Sequence, residues 1–297
     1  MRILIIKLGA AGDVVRTTSL LNVLTGEIHW VTSDSNCILL NGNSQIERCI
    51  AWRNRMSQNF EAYDLVINLE DSIDVAKLLR LIRYKELFGA YLDDKDKLKY
   101  TESSKDWFDL SLISRFGLKK ADELKLRNRR TYQEMIFNGL GYKFNGESYF
   151  LPKASESSMT GDIAIAQECG SVWPMKNWAY YNDLKRKLEE TGVTVNFLPM
   201  RKSIIEHIGD IQNHRYLISG DSLPMHIAIG SGIQCLTIFT CTSPWEIYDY
   251  GIQKKLISPF LDVYFYKRKF DVKATTCISL IEVYQETIEH IRRTQNE

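Results

Sequence analysis

Four side chains of this chain lie in or near turns that follow apolar segments, and their types suit group-transfer chemistry. Asp13 follows a short glycine-containing turn, and Lys176 lies between two tryptophans. Asp221 and His226 belong to the segment 220–226, which is GDSLPMH. A carboxylate suits a general base, whereas a lysine and the start of a helix suit the negative charge of a phosphate. The chain therefore contains one candidate base and one candidate phosphate site.

Each of these residues also has a purely structural interpretation. Asp13 precedes an apolar segment with helical spacing, and an Asp that caps a helix contributes about 1 kcal/mol. The spacing alone leaves capping and a reactive carboxylate equally open. A single histidine such as His226 is more often a packing residue, but Asp221 and the strand-to-helix junction beside it favour ligand contact. Lys176, taken alone, is more often an exposed loop lysine.

Three loops carry the candidate phosphate ligands, and each one follows a predicted strand. They are the segments 171–178 (SVWPMKNW), 220–226 and 239–248 (FTCTSPWEIY). The third segment has hydroxyl groups that could hold a phosphate or a sugar, although it also fits an ordinary loop ended by proline. Because ligands bind at the carboxyl ends of strands in open α/β sheets, the three loops together predict a binding site more strongly than any one of them.

Strand and helix patterns alternate in both halves of the chain, which predicts parallel sheets covered by helices. The first half has strand patterns at 2–8, 27–32, 47–52, 63–69 and 86–91, with helix patterns at 14–24, 72–84 and 132–140. The second half has strand patterns at 163–167, 193–198, 215–219 and 235–239, with helix patterns at 178–191, 222–230 and 275–293. The predicted fold class is therefore α/β.

The length and the linker composition indicate two domains. The chain has 297 residues, and the segment 151–161 is rich in Pro, Ser and Gly. We therefore predict domains at 1–155 and 156–297, with a ligand in the cleft between them and a final helix that crosses back. The net charge of +1 gives no reason to expect a nucleic-acid partner.

Several classes of protein are disfavoured by the sequence. The six cysteines form no C-x-x-C pair, so a zinc site or a disulfide framework is not expected. No signal peptide or membrane span fits, and we expect a cytoplasmic protein. The turn 9–12 (GAAG) is not a dinucleotide fingerprint, and the acid after it would repel a pyrophosphate. The basic segment 118–130 is more simply a solvated loop than a surface for anionic lipid or glycan.

Three stretches resemble one known family. The opening RILIIKLGAAGDVVRTTSLL, the segment SVWPMKNW and the segment SGDSLPMHIAIGSGIQCLTIFTCTSPWEIYDYG are similar to glycosyltransferase family 9, which includes the lipopolysaccharide heptosyltransferases. The family motif Asp-Thr-Gly-x-x-His corresponds here to residues 221–226, with Leu223 in place of the glycine. The similarity extends over both halves of the chain and is weakest between residues 93 and 150.

The resemblance implies a GT-B fold, with two Rossmann-like domains facing across a cleft, and an inverting sugar transfer without a metal ion or other cofactor. By similarity, Asp13 would be the general base that deprotonates an acceptor hydroxyl. The implied acceptor is a lipid-linked or cell-surface saccharide, and the implied donor is a nucleotide-sugar, ADP-heptose by family habit. The acceptor would be contacted by Gly12 and Arg16, and the enzyme could rest on the cytoplasmic face of the inner membrane. The donor would be bound by Ser171, Lys176, Asp221, Ser222, Leu223, His226 and Thr242.

Two departures from the family pattern leave other functions open. Leu223 replaces a glycine at which the backbone would closely approach the donor. The span 199–215 is short and offers only Glu206 and Asp210 as acids for a nucleotide. A nucleotide-sugar epimerase, which releases a free product, and a nucleotide-binding protein without turnover are the alternatives. A Rossmann oxidoreductase fits least, since neither half begins with G-x-G-x-x-G.

Overall fold

The computed structural model describes residues 1–295, which form two compact units. The first unit comprises Met1–Pro152 together with the short segment Trp245–Tyr248. The second unit comprises Lys153–Pro244 and the described chain from Asp249 onwards. The predicted domain boundary is at residue 155, and no sequence pattern indicates that residues 245–248 belong with the first unit. The last two residues of the predicted second domain lie outside the described part of the chain.

The first unit is built on a six-stranded sheet in the order β3-β2-β1-β4-β5-β6. Strands β1 to β5 pair in parallel, and β6 joins the edge antiparallel. Strand β1 is central and almost wholly apolar because helices and loops cover both faces of the sheet. The strands are β1 (Arg2–Ile6), β2 (Glu27–Thr32), β3 (Ile46–Ala51), β4 (Tyr63–Asn68), β5 (Tyr84–Leu92) and β6 (Leu98–Tyr100).

The helices of the first unit differ from the predictions in several places: α2 ends at Leu79, α3 was not predicted, and two other differences have a clear cause. Helix α1 ends at Thr17, and a 3₁₀ turn at Thr18–Asn22 follows, because the Thr18 and Ser19 hydroxyls donate to backbone carbonyl oxygens of the preceding turn. The prediction of a solvated loop at 118–130 is wrong, since its Leu, Lys, Ala and Glu residues are good helix formers. The helices are α1 (Ala11–Thr17), α2 (Ile73–Leu79), α3 (Lys105–Phe108), α4 (Leu118–Arg127) and α5 (Tyr132–Gly139).

The second unit has a five-stranded, all-parallel sheet in the order β11-β10-β9-β7-β8. Its strands are β7 (Gly161–Ala166), β8 (Val195–Phe197), β9 (His214–Gly220), β10 (Gln234–Phe239) and β11 (Gln253–Ile257). Its helices are α6 (Tyr181–Glu189), α7 (Ile204–Gln212), α8 (Leu223–Gly230), α9 (Leu261–Tyr264), α10 (Val272–Thr276) and α11 (Leu280–Gln295). The α/β fold class with parallel sheets is confirmed.

One further difference concerns the end of the second unit. The single helix predicted at 275–293 is two helices, α10 and α11, separated at residues 277–279. Helix α11 belongs to the second unit, where it packs on α6 and on the apolar cluster, and its crossing back stays a prediction. Among the helices described, none is long and apolar enough to cross a membrane.

Candidate functional site

Asp13 lies in the first turn of α1, directly beyond the carboxyl end of the central strand β1. The helix starts at Ala11, and Ala10 occupies the N-cap position. Asp13 is therefore the third residue of the helix, so the N-cap position left open by the sequence belongs to Ala10. The Asp13 side chain is 32% exposed, although its neighbours on either side, Gly12 and Val14, are buried. Solvent, and hence a ligand, can reach this carboxylate.

Two buried cations flank the Asp13 carboxylate. The Arg16 guanidinium lies 2.8 Å from Asp13 Oδ1, and Lys7 Nζ lies 3.8 Å from Asp13 Oδ2. Lys7 Nζ also donates to Glu70 Oε1 at 2.9 Å, and the same oxygen accepts the backbone N–H of Leu8 at 2.8 Å. Burial disfavours the charged form of Lys7, but the Asp13 and Glu70 carboxylates outweigh it, so the pKa of Lys7 is raised. Both neighbouring cations therefore stay charged.

Arg16 is held in one orientation by aromatic rings. Its guanidinium carbon lies 4.0 Å from the centre of the Tyr132 ring and 5.8 Å from that of Trp107. The Tyr132 hydroxyl is fixed in turn by the Thr17 hydroxyl at 2.7 Å. Burial opposes the charge of Arg16, but the attraction of Asp13 prevails and its pKa is raised. Gly12 and Arg16, the two predicted acceptor contacts, are both buried, whereas Asp13 is the partly exposed member of the group.

The segment Trp245–Tyr248 completes this part of the first unit. The carbonyl oxygen of Glu246 accepts the backbone N–H of Tyr132 at 3.0 Å, and the negative charge of the buried Glu246 side chain raises the pKa of Arg16. The Arg129 guanidinium carbon lies 3.6 Å from the centre of the Trp245 ring. The sequence grouped these residues with the second-half loop after β10, and its local pattern offered no signal of their place beside α5.

In the second unit, Lys176 and Asp221 form a largely buried ion pair. Lys176 ends a 3₁₀ turn, Pro174–Lys176, and its Nζ donates to Asp221 Oδ2 at 3.0 Å and to the Asp221 carbonyl oxygen at 2.6 Å. The Thr242 hydroxyl donates to the same Asp221 Oδ2 at 2.6 Å. Burial opposes both charges, but the ion pair outweighs it, so the pKa of Lys176 is raised and that of Asp221 is lowered.

The three loops after β7, β9 and β10 meet because their backbones approach closely. A Cβ atom on Gly220 would lie 2.8 Å from the Lys176 carbonyl oxygen, so the last residue of β9 must be a glycine for this contact. The Thr240 hydroxyl donates to the Met175 carbonyl oxygen at 2.6 Å, which joins the third loop to the first. The structure thus brings Lys176, Asp221 and Thr242 together, as the sequence suggested for these loops.

The other residues predicted to bind the donor lie in the same loops or in α8, and they differ in burial. Ser222 is the N-cap residue of α8, and Leu223 is its half-buried first residue. His226 is buried one turn later, and its charge contributes to lowering the pKa of Asp221. Ser171 is exposed on the loop between β7 and Lys176. Sequence analysis did not single out Ser243, whose buried Oγ has no hydrogen-bond partner among the described residues.

The two acids of the span 199–215, Glu206 and Asp210, differ in whether a ligand can reach them. Most of this short span is helix α7. Asp210 is buried and receives two bonds from Arg201, at 2.6 Å and 2.9 Å, and one from the Ser157 hydroxyl at 2.6 Å. Glu206 instead lies exposed in the first turn of α7. Asp210 is therefore a structural residue, and Glu206 is the accessible acid of the pair.

Solved structures share this fold over nearly the whole chain. Escherichia coli heptosyltransferase WaaC with ADP-2-deoxy-2-fluoro heptose has a TM-score of 0.61 and 15% identity, and the match covers 98% of this chain and 100% of that one. Escherichia coli ADP-heptose lipopolysaccharide heptosyltransferase II has a TM-score of 0.57 and 12% identity, with 99% and 100% covered. A family 9 glycosyltransferase from Veillonella parvula has a TM-score of 0.61 and 18% identity, with 89% and 87% covered.

Sequence comparison gives no such matches: no protein-family model matches the chain, and the search of curated proteins finds no match. At 12–18% identity, the structural neighbours show the fold of the chain. They confirm the GT-B-type fold that the resemblance implied.

Proposed function

We propose that the protein is a glycosyltransferase that moves a sugar from a nucleotide-sugar to a hydroxyl group of a glycan or glycolipid. One observation carries this proposal: in a fold shared with heptosyltransferases, each unit places a carboxylate and a cation at the end of a central strand. The first unit has the partly exposed Asp13 beside Arg16, and the second has Lys176 beside Asp221.

In the proposed reaction, Asp13 takes the proton of the acceptor hydroxyl. The acceptor oxygen then forms a bond to the anomeric carbon, the bond from that carbon to the diphosphate breaks, and the anomeric configuration inverts. Arg16 and Lys7 hold the Asp13 carboxylate in place, because both are buried and charged. Arg16 acts here as a positioning residue behind the base.

On the donor side, Lys176 supplies the positive charge that balances the departing diphosphate. Ser222 and the first turn of α8 provide donors at the positive end of a helix. Asp221 holds the Lys176 ammonium group, Thr242 donates to the Asp221 carboxylate, and the buried Ser243 hydroxyl offers a further donor. This arrangement can stabilise the leaving group with protein charges alone, which supports a transfer that needs no metal ion.

The remaining donor contacts would select the sugar and the base. Ser171 and Leu223 would face the donor, His226 would support the sugar side, and Glu206 is the accessible acid for the nucleotide ribose. The neighbours solved with ADP or an ADP-heptose analogue favour ADP-heptose as the donor. The acceptor would be a lipid-linked or cell-surface saccharide, reached at the cytoplasmic face of a membrane.

The experiment that tests the proposal compares two aspartates that both lie in the first turn of a helix. Asp13 and Asp74 each lie in the first turn of a helix that follows a parallel strand, and Asp74 is exposed. We expect Asp13→Asn to lower the turnover for sugar transfer by about 10²- to 10⁴-fold, while the affinity for ADP changes less than about twofold. Asp74→Asn should leave both quantities unchanged.

Equal loss of transfer and of ADP affinity in Asp13→Asn would contradict the assignment of the base. A thermal-shift series with ADP-, GDP- and UDP-sugars identifies the donor, because the true donor stabilises the protein by mass action. Release of a free isomerised sugar would indicate an epimerase. Tight nucleotide binding without transfer to any acceptor would indicate a nucleotide-binding protein without turnover, the alternative raised by Leu223 in place of the family's glycine.

A further inference from the structure

The loop that joins α9 to α10, residues 265–271, presents three consecutive cations to solvent. Lys267, Arg268 and Lys269 are all exposed, and none of them forms an ion pair with a carboxylate among residues 1–295. The large apolar side chains of Phe270 and Val272 follow them and are 57% and 62% exposed. Cations and apolar groups thus share one short surface, which we call the α9–α10 surface.

The backbone beneath the α9–α10 surface is fixed. The N–H of Tyr266 donates to the Cys241 carbonyl oxygen at 2.8 Å, and the N–H of Lys267 donates to the Tyr264 carbonyl oxygen at 3.0 Å. The Trp173 ring packs edge-on against Tyr266, with ring centres 5.3 Å apart. The cations and the apolar groups are therefore exposed on a loop whose backbone is fixed by hydrogen bonds and ring packing.

The second basic stretch of the chain, around α4, differs because two of its cations are paired with carboxylates of the first unit. Lys120 pairs with Glu123 at 3.0 Å, and Arg130 pairs with Asp106 at 2.6 Å. On the α9–α10 surface the adjacent carboxylate of Asp271 accepts the N–H of Lys273 as the cap of α10 and forms no ion pair with the three cations. The Arg268 guanidinium lies 5.4 Å from the centre of the Trp173 ring, but neither it nor Lys267 or Lys269 has a carboxylate partner among residues 1–295, so all three charges can still attract an external anion.

We propose that the α9–α10 surface docks the second unit on an anionic lipid bilayer. Lys267, Arg268 and Lys269 would lie among the anionic headgroups, and Phe270 and Val272 would insert at the boundary with the acyl chains. Basic residues beside exposed apolar ones are typical of segments that lie in this interface. The surface would bring a lipid-linked acceptor close to the enzyme, and only this last consequence rests on the proposed function.

Vesicle binding by the full chain tests the proposal directly. Co-sedimentation is measured with phosphatidylcholine vesicles and with vesicles that also contain phosphatidylglycerol, in low and in high salt. We expect binding to the anionic vesicles alone and weaker binding in high salt. Replacing Lys267, Arg268 and Lys269 together by Gln should lower the partition coefficient by about 10²-fold, since each basic residue near such a surface contributes about fivefold. Phe270→Ser should lower it by about tenfold.

The matched control is Lys119→Gln with Lys120→Gln, which removes exposed cations from α4 and should leave vesicle binding unchanged. Nucleotide affinity and transfer to a water-soluble acceptor should be unchanged in the triple variant, which separates docking from catalysis. The proposal is overturned if the triple variant binds anionic vesicles as the unaltered chain does, or if the α4 control loses binding instead. Binding to soluble polyphosphate without binding to vesicles would also overturn it and would point to a soluble polyanion.

Discussion

The ion pair between Lys176 and Asp221 allows a quantitative test of the second unit. Two single variants, Lys176→Met and Asp221→Asn, each leave one charge without its partner, and the double variant removes both. Because both side chains are largely buried, we expect each single variant to destabilise the unit strongly and the double variant to be no worse than either single one.

The size of the effect follows from the distance and the burial. The charges lie 3.0 Å apart, and the side chains are only 14% and 15% exposed. At that distance, with an effective dielectric constant of about 20, the attraction is roughly 5 kcal/mol, and the loss of hydration offsets part of it. Loss of one partner from such a pair costs about 3 kcal/mol. Thr242 still donates to residue 221, so the Asn variant keeps one hydrogen bond.

The measurement is a double-mutant cycle on the free energy of unfolding of the second unit. Urea unfolding is followed by hydrogen exchange of peptides from β7 and β9, so that the first unit does not contribute to the signal. We expect a coupling free energy of about 3 kcal/mol between Lys176 and Asp221. Lys176→Met should also weaken ADP binding in calorimetry by about tenfold, as expected for the loss of a charge-assisted contact.

A matched pair in the same unit serves as the control. Lys254 and Glu286 lie 2.8 Å apart, but their side chains are 52% and 29% exposed. The same cycle on that pair should give a coupling below about 1 kcal/mol. Additive single effects at Lys176 and Asp221, with no coupling beyond that of the control, would refute the reasoning. Unchanged ADP affinity would make Lys176 an ordinary structural lysine.

Two further predictions concern stability. Gly220→Ala should destabilise the second unit by about 1–3 kcal/mol, measured by thermal unfolding, because the new methyl group meets the Lys176 carbonyl oxygen at 2.8 Å. The control is Gly170→Ala, which should be close to neutral because a Cβ there meets no atom within 4 Å. The pKa of Asp210 is lowered, since the bonds from Arg201 and Ser157 outweigh burial, so its stabilisation is present above about pH 4 and is lost as the pH falls further. The stability difference between the native chain and Asp210→Asn, followed by urea unfolding, should therefore shrink below about pH 4, and a constant difference would contradict the assignment.

The strand-turn-helix opening could be predicted from sequence because each signal is local. Residues 2–6 are apolar at nearly every position, as a strand covered on both faces requires, and the small residues after them permit a tight turn into α1. The loops that carry Lys176, Asp221 and Thr242 were predictable for the same reason, since each one directly follows a buried strand. Local patterns therefore located the loops, and the parallel order of the strands brought them together.

The contacts that surround Asp13 depend on pairings that are distant in sequence. Glu70 reaches Lys7 only because β4 pairs with β1, across 63 residues of chain. Glu246 lies beside α5 through an interaction between residues more than a hundred positions apart. Helix α4 was missed for a different reason: its charged face suggested a solvated loop, whereas the burial of Ala121 and the intrinsic helix preference of its residues decide the structure.

The two strand-end carboxylates differ in a way that suits the different tasks we propose for them. Asp221 is 15% exposed, and Lys176 and Thr242 both donate to the same one of its oxygens, so its main effect is to hold the ammonium group of Lys176. Asp13 is about twice as exposed, and its cations lie behind it, buried and fixed by Tyr132 and Glu70. A base must meet its substrate, whereas a counter-ion need not. The same residue type at the end of a strand therefore suits proton transfer in the first unit and charge positioning in the second.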